Sequence, residues 1–168
     1  EMRKMFFPIH ERSKLVPVDI MYRKFQLLLA LVIIFFLSGL DISGFLFQKM
    51  IETGLFPLLN IVSAYLAGIV LAPIFLPFIP FRTFAMKGAF WGAIVTVGLN
   101  LIFKVQILEG ISLGLINLSI ASFMMMNFTG SSTFTSLSGV QKEMKFAIPL
   151  QIAFAAIGLI LFIFTKLQ

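Results

Sequence analysis

The sequence predicts an all-α fold, a polytopic membrane bundle of five transmembrane helices. Three observations predict it. Apolar runs of bilayer-spanning length recur along the 168 residues and are continuous, whereas a transmembrane barrel would show short alternating segments. Hydrophobic residues make up 60% of the chain and charged ones 12%, and the mean hydropathy is +1.05, a balance no soluble domain shows. The basic residues sit at the edges of the apolar runs. The net charge of +6 therefore reads as membrane orientation rather than nucleic-acid binding.

Residues 1–24 carry Arg3, Lys4, Arg12, Lys14, Arg23 and Lys24, interrupted by Pro8 and Pro17. No apolar core precedes a small-residue cleavage site, so this is a basic juxtamembrane linker on an anionic leaflet rather than a signal peptide. His10 reads as an interfacial histidine, since nothing near it in sequence completes a ligand set. The chain opens on Glu1, and the expectation is a piece processed or cut from something longer. Residues 25–168 form the transmembrane domain, with spans over about 25–44, 55–78, 84–103, 111–128 and 146–164. Pro57, Pro73, Pro77 and Pro80 fall in or beside the second span. Proline frees a carbonyl and kinks a helix, so a break is expected near Pro73, with Pro77 to Pro80 as an irregular interfacial turn.

Lys and Arg divide unevenly between the two ends. Ten lie before the first span, between the second and third, and between the fourth and fifth; Lys49, Lys104 and Lys166 lie on the other side. That imbalance puts the N-terminus in the cytoplasm and the C-terminus outside, as expected for a multi-pass protein of the cell inner membrane.

Lipid does not drive apolar helices together, so close approach through small residues and hydrogen bonds must. Gly88 and Gly92 in the third span, Gly68 in the second, and Gly110 and Gly114 in the fourth are the candidate packing positions. The third helix, with small residues on more than one face, is the expected centre. Asn60, Asn100 and Asn117, with Asp41 near the same level, form a candidate intramembrane polar cluster. At ~1.5 Å per residue the three amides fall roughly 6–9 Å from the outer boundary. Such a cluster is either helix-bridging glue or a polar cavity for a small solute or ion.

One stretch departs from the pattern of apolar runs and short joints. From Thr129 to Ser138, eight of ten residues are Ser, Thr or Gly. Thr129, Gly130, Ser131, Ser132, Thr133, Thr135 and Ser136 are either the capping residues of a connector or a docking surface. Catalytic clusters are missing from the sequence: there is no cysteine and a single histidine, so thiolate metal sites, iron–sulfur ligation and thiol catalysis have no residues here. Gly130, Gly139 and Lys142 do not have P-loop spacing.

His10-Glu-Arg-Ser-Lys-Leu-Val-Pro-Val-Asp19 and Asn127-Phe-Thr-Gly-Ser-Ser-Thr-Phe-Thr-Ser-Leu-Ser-Gly-Val-Gln-Lys-Glu-Met144 together resemble the membrane domain of the mercury-methylating corrinoid proteins, the HgcA family. The resemblance covers essentially the whole chain, and the second stretch is its more distinctive part. It implies a preceding cytoplasmic corrinoid domain in the same protein, whose cobalt takes a cysteine as lower ligand, and a ferredoxin-like 4Fe-4S partner that supplies electrons. It implies transfer of a methyl group from the corrinoid to inorganic mercury. The chain itself lacks that catalytic half, cysteine included, so no catalytic, cofactor-binding or metal-ligating residue is expected in it, and a cobalamin-like cofactor is implied only upstream. The expected role is therefore membrane anchoring and assembly, in contact with the lipid bilayer and the corrinoid domain, with a homodimer as a further expectation and no nucleic-acid partner. The alternative is a small oligomeric transporter or channel, using the Asn cluster and the Pro-broken second helix. Five spans do not divide into two equal inverted repeats, and no internal similarity is visible.

Overall fold

The structure, a computed structural model, describes residues 9–42, 44–79, 81, 83–128 and 137–167, with side chains described throughout except at 9–15, 77 and 137–140. Five helices are long and apolar enough to cross a membrane. They are α1 (Ile9–Leu37), α2 (Phe47–Ile74), α3 (Phe84–Phe103), α4 (Ile107–Met126) and α5 (Leu137–Lys166).

The starts differ most from expectation. α1 begins at Ile9 rather than near Phe25 and passes through Pro17, so most of the basic linker is the first part of the same helix. Its Glu, Arg, Lys and Leu residues are good helix formers, and one proline removes only one ladder bond. α2 likewise starts at Phe47, eight residues before the expected Leu55. The corner between α1 and α2 is a two-residue antiparallel hairpin, β1 (Leu40–Asp41) on β2 (Gly44–Phe45). Gly44 turns it with φ at +116°, a conformation that side-chain-bearing residues rarely adopt.

The break in α2 falls where the prolines indicated. Residues Ala67–Leu71 form a π-helical turn, Ala72–Ile74 end the helix, and Leu76–Phe78 make a 3-10 turn. Pro73 has no N–H for the carbonyl of Ile69, and the wider turn absorbs that missing bond. α3 matches its expected limits and is capped by Thr83, whose hydroxyl accepts from the Met86 amide at 3.4 Å.

α4, not α3, is the centre. It packs against α2, α3 and α5, and half of its span is buried, against 17% for α3. Glycine content marks which surface approaches closely, and what the glycines approach here is Ala121 of α4. A Cβ on Gly68 would stand 2.7 Å from the Ala121 carbonyl oxygen, one on Gly92 would stand 2.9 Å from the Ala121 Cβ, and one on Gly88 would overlap that same carbonyl. α2 and α3 thus meet α4 at one residue. Gly110 abuts the Asn100 amide, and Gly114 makes only an ordinary 3.5 Å contact with Thr96. On the far side Gly158 of α5 approaches the Ser112 carbonyl. Ile34, Ile61, Leu113, Ile116 and Phe162 then fill the junction of α1, α2, α4 and α5.

Candidate functional site

The four predicted polar residues separate into three places. Asn117 and Asn60 are fully buried and joined, the Asn117 Nδ2 donating to the Asn60 Oδ1 at 2.9 Å. The same Nδ2 donates to the Thr96 hydroxyl at 2.8 Å, and that hydroxyl donates to the Gly92 carbonyl at 2.9 Å. The Asn60 Nδ2 donates to the Phe56 carbonyl at 3.2 Å. One amide therefore ties α2, α3 and α4 together. The Asn117 Oδ1 is left with no partner among the described residues.

Asn100 stands apart, donating to the Gly110 carbonyl at 3.2 Å near the end of α3. Asp41 is in the hairpin, ion-paired with Lys49 at 2.6 Å. Asn60 and Asn117 share one level, and Asn100 and Asp41 lie nearer the end of the bundle that holds the hairpin. Because α2 starts at Phe47 and α4 at Ile107, Asn60 lies ~20 Å and Asn117 ~15 Å along their helices, near the middle of each.

Around Asp41 the end of the bundle opposite the N-terminus is laced by charge. Lys49 also donates to the Lys166 carbonyl at 3.1 Å, and Lys166 pairs with Glu109 at 2.8 Å while lying over the Phe162 ring. The hairpin, α2, α4 and α5 are joined by these bonds. A cleft of about 270 Å³ opens there between Glu52, Phe103, Gln106 and Glu109.

The other end holds the roots of the hydroxyl-rich stretch. Thr129, Gly130, Ser131, Ser132, Thr133, Thr135 and Ser136 lie outside the described residues; the residues that bracket them do not. Asn127 closes α4, and its carbonyl accepts from the Arg23 Nη2 of α1 at 2.6 Å. A cation at a helix C-terminus is favourably placed against the helix dipole. On α5 the Glu143 carboxylate accepts from the Ala85 amide at 2.6 Å, an anion at the N-terminus of α3, which is the complementary arrangement. Tyr65 completes this end by donating to the Ile20 carbonyl at 3.2 Å. Both roots are thus fastened to other helices.

Sequence reasoning passed over Thr96, Arg23, Glu143, Ala121 and Gln151 as individuals. Thr96 and Ala121 are unremarked types in an apolar helix, and Arg23 and Glu143 were read only as charges at span edges. Gln151 was detectable as an amide in the middle of the fifth apolar run.

The described residues include no group of three His, Cys, Asp or Glu that could hold a metal ion. The sequence holds no cysteine and one histidine, His10. The arrangement can hold helices in register, fix the roots of a loop and offer polar atoms inside the bilayer. No family model matches the chain, and neither a curated protein nor a solved structure is detectably similar to it.

Proposed function

We propose that this chain is the membrane-anchoring and assembly domain of a corrinoid-dependent methyltransferase, one resembling the family that methylates inorganic mercury to methylmercury. The observation that supports the reading is a bond from the helix that carries the first resembling segment to the first residue of the second. The first, His10 to Asp19, lies in the same helix as Arg23, four residues further on; the second begins at Asn127, whose carbonyl Arg23 grips. Arg23 and Asn127, 104 residues apart in sequence, meet at one end of the bundle.

In this reading that end is cytoplasmic, by the ten-to-three distribution of Lys and Arg. α1 serves as a continuous stem from the corrinoid domain into the bilayer. The stretch from Thr129 to Ser136, rooted at Asn127 and Glu143, faces that domain and its ferredoxin-like partner. The polar cluster favours helix bridging over the transport alternative. Asn60 and Asn117 are completely buried, and the Asn117 Nδ2 bonds both the Asn60 Oδ1 and the Thr96 hydroxyl, an arrangement that suits helix bridging.

Two measurements test this. The reading frame upstream of Glu1 should encode a corrinoid domain, and an unrelated sequence there removes the proposal. In membranes holding the complete protein and its reductant, replacing Ser131, Ser132, Thr133 and Thr135 together by Ala should abolish methyl transfer at normal expression. Each partner group left unpaired at a buried contact costs about 1–3 kcal/mol. Unchanged methylation in that variant removes the docking role of the loop, and lost expression assigns it to folding.

A further inference from the structure

At the end of the bundle opposite the N-terminus, the cleft of about 270 Å³ has walls of three kinds. Glu52 of α2 and Glu109 in the first turn of α4 supply carboxylates. Phe56 of α2 and Phe103 at the end of α3 supply rings, packed with centroids 5.2 Å apart. Lys166 of α5 supplies a cation. Neither the anchoring role nor the helix-bridging amides use this cleft.

The two carboxylates are open to a visitor and the cation is not. Glu52 is exposed, and 19% of the Glu109 side chain is accessible. The Lys166 side chain is only 8% accessible; it is paired with Glu109 and lies over the Phe162 ring. Glu52 accepts from the Gln48 Nε2 at 2.9 Å, as Glu109 does from Lys166. A carboxylate has about four acceptor positions, so each acid keeps capacity after one such bond. The Thr53 hydroxyl, also in the lining, is committed as a donor to the Lys49 carbonyl at 2.9 Å. Two negative charges against one positive leave the lining with one surplus negative charge. Of the neighbouring cations, Lys49 is paired with Asp41, and Lys104 is exposed and outside the lining.

We propose that this cleft binds the ammonium group of a small primary amine, accepted by Glu52 and Glu109 between Phe56 and Phe103. Accessible acceptors without accessible donors select a donor-only group, and an ammonium donates through every N–H and accepts through none. Ring faces attract cations and shelter the carbons attached to them, carbons that a hydrated metal ion does not have. An anion would meet the surplus negative charge, with the one cation already bound. With ~30 Å³ for each water-sized group, the volume takes roughly nine non-hydrogen atoms. That size suits the ethanolamine headgroup of a phospholipid, since the cleft opens where spanning helices end, and equally a free amine from the water. The site lies at the end away from Arg23 and Asn127 and is independent of the corrinoid reading.

The test uses the whole chain in nanodiscs, carrying Gln106→Cys as its single cysteine at the exposed rim of the cleft. An uncharged methanethiosulfonate reports how open that rim is. In phosphatidylcholine discs the probe is phenethylammonium, and the control is phenethyl alcohol, alike in size but uncharged. A cation of about nine non-hydrogen atoms binds at about 1 mM, so about 10 mM should slow the modification about tenfold. Glu52→Gln, at an exposed position, should weaken binding about tenfold and leave only about a twofold slowing. Exchanging part of the phosphatidylcholine for phosphatidylethanolamine with the same acyl chains separates the two sources. Slowing there without added amine assigns the site to the lipid headgroup, and an unchanged rate assigns it to the free amine. Equal slowing by ammonium and alcohol, slowing that persists undiminished in Glu52→Gln, or no slowing by phenethylammonium or phosphatidylethanolamine overturns the proposal.

Discussion

The Arg23 guanidinium and the Asn127 carbonyl meet at 2.6 Å across 104 residues of chain, joining the first helix to the end of the fourth. This bond places a positive charge on the C-terminus of α4 and fixes the point where the hydroxyl-rich stretch leaves it. Arg23→Gln keeps a donor but loses the charge and reach, and should lower thermal stability in detergent by about 1–2 kcal/mol. The more telling readout is local. The chain has no cysteine, so a single Ser131→Cys reports alone when a maleimide is added. Labelling there should become faster in the Arg23→Gln background, whereas a cysteine at Leu167, exposed on the opposite end, should not respond. Equal rates with and without Arg23 would show that the bond does not hold the root.

Asn117 carries more than the other amides, because one Nδ2 serves both Asn60 and Thr96. Asn117→Leu strands the Asn60 Oδ1 in the middle of the bundle, and intramembrane amide bonds are worth about 0.5–2 kcal/mol. Its cost should fall at the upper end of that range. Asn60→Leu should be milder, since Asn117 keeps Thr96, and Asn100→Leu milder again, since it loses one bond near a helix end. Unfolding in mixed micelles would rank them. An Asn100 variant as damaged as the Asn117 variant would contradict the network.

The five helices were readable from their apolar runs, because a run of spanning length has almost no other solution in a bilayer. Their beginnings were not. Ile9–Lys24 and Phe47–Gly54 are helical yet polar enough to resemble linker, and helix formation does not require apolar side chains where neighbouring turns already exist. The longer helices put Asn60 and Asn117 near the middle of α2 and α4 rather than near their starts. The amides themselves were legible as intramembrane polar groups. Thr96 was not, because a hydroxyl in a helix is normally satisfied by its own preceding turn, as Thr96 is by Gly92. The centre was misassigned for a related reason: Gly88 and Gly92 advertise a close approach, while Ala121, the residue approached, has no sequence signature.

At the opposite end, the Lys166–Glu109 pair has little solvent, the side chains being 8% and 19% exposed. A pair of this kind stabilises little relative to apolar replacements, but breaking it from one side leaves an unmatched charge. Glu109→Leu alone should therefore cost up to about 3 kcal/mol, and Lys166→Met should cost less because Glu109 is the more exposed partner. The double variant Glu109→Leu with Lys166→Met should recover most of the loss. Thermal unfolding of the four combinations gives the coupling directly. Additive losses would mean that the two side chains do not interact in the membrane.

Two glycines of α3 offer a matched comparison within one helix. Gly88 lies against Ala121, where an added methyl would overlap the carbonyl oxygen and stand 2.7 Å from the Met125 Cβ; at Gly98 nothing lies within 4 Å of the added carbon. The residue type, the helix and the loss of glycine's backbone freedom are shared, so the difference isolates packing. Gly98→Ala should be neutral or stabilise slightly, by up to about 1 kcal/mol, since alanine is the better helix former. Gly88→Ala gains the same helical preference but must push α3 away from α4, and overpacking of this kind costs about 1–3 kcal/mol. The displacement should also reach the Asn117–Thr96 bond, which lies two turns along the same interface. Combining Gly88→Ala with Asn117→Leu should then cost less than the sum of the two, because the bond is already weakened when the amide is removed. If the two glycine variants prove equally stable, Ala121 is not where α3 meets α4.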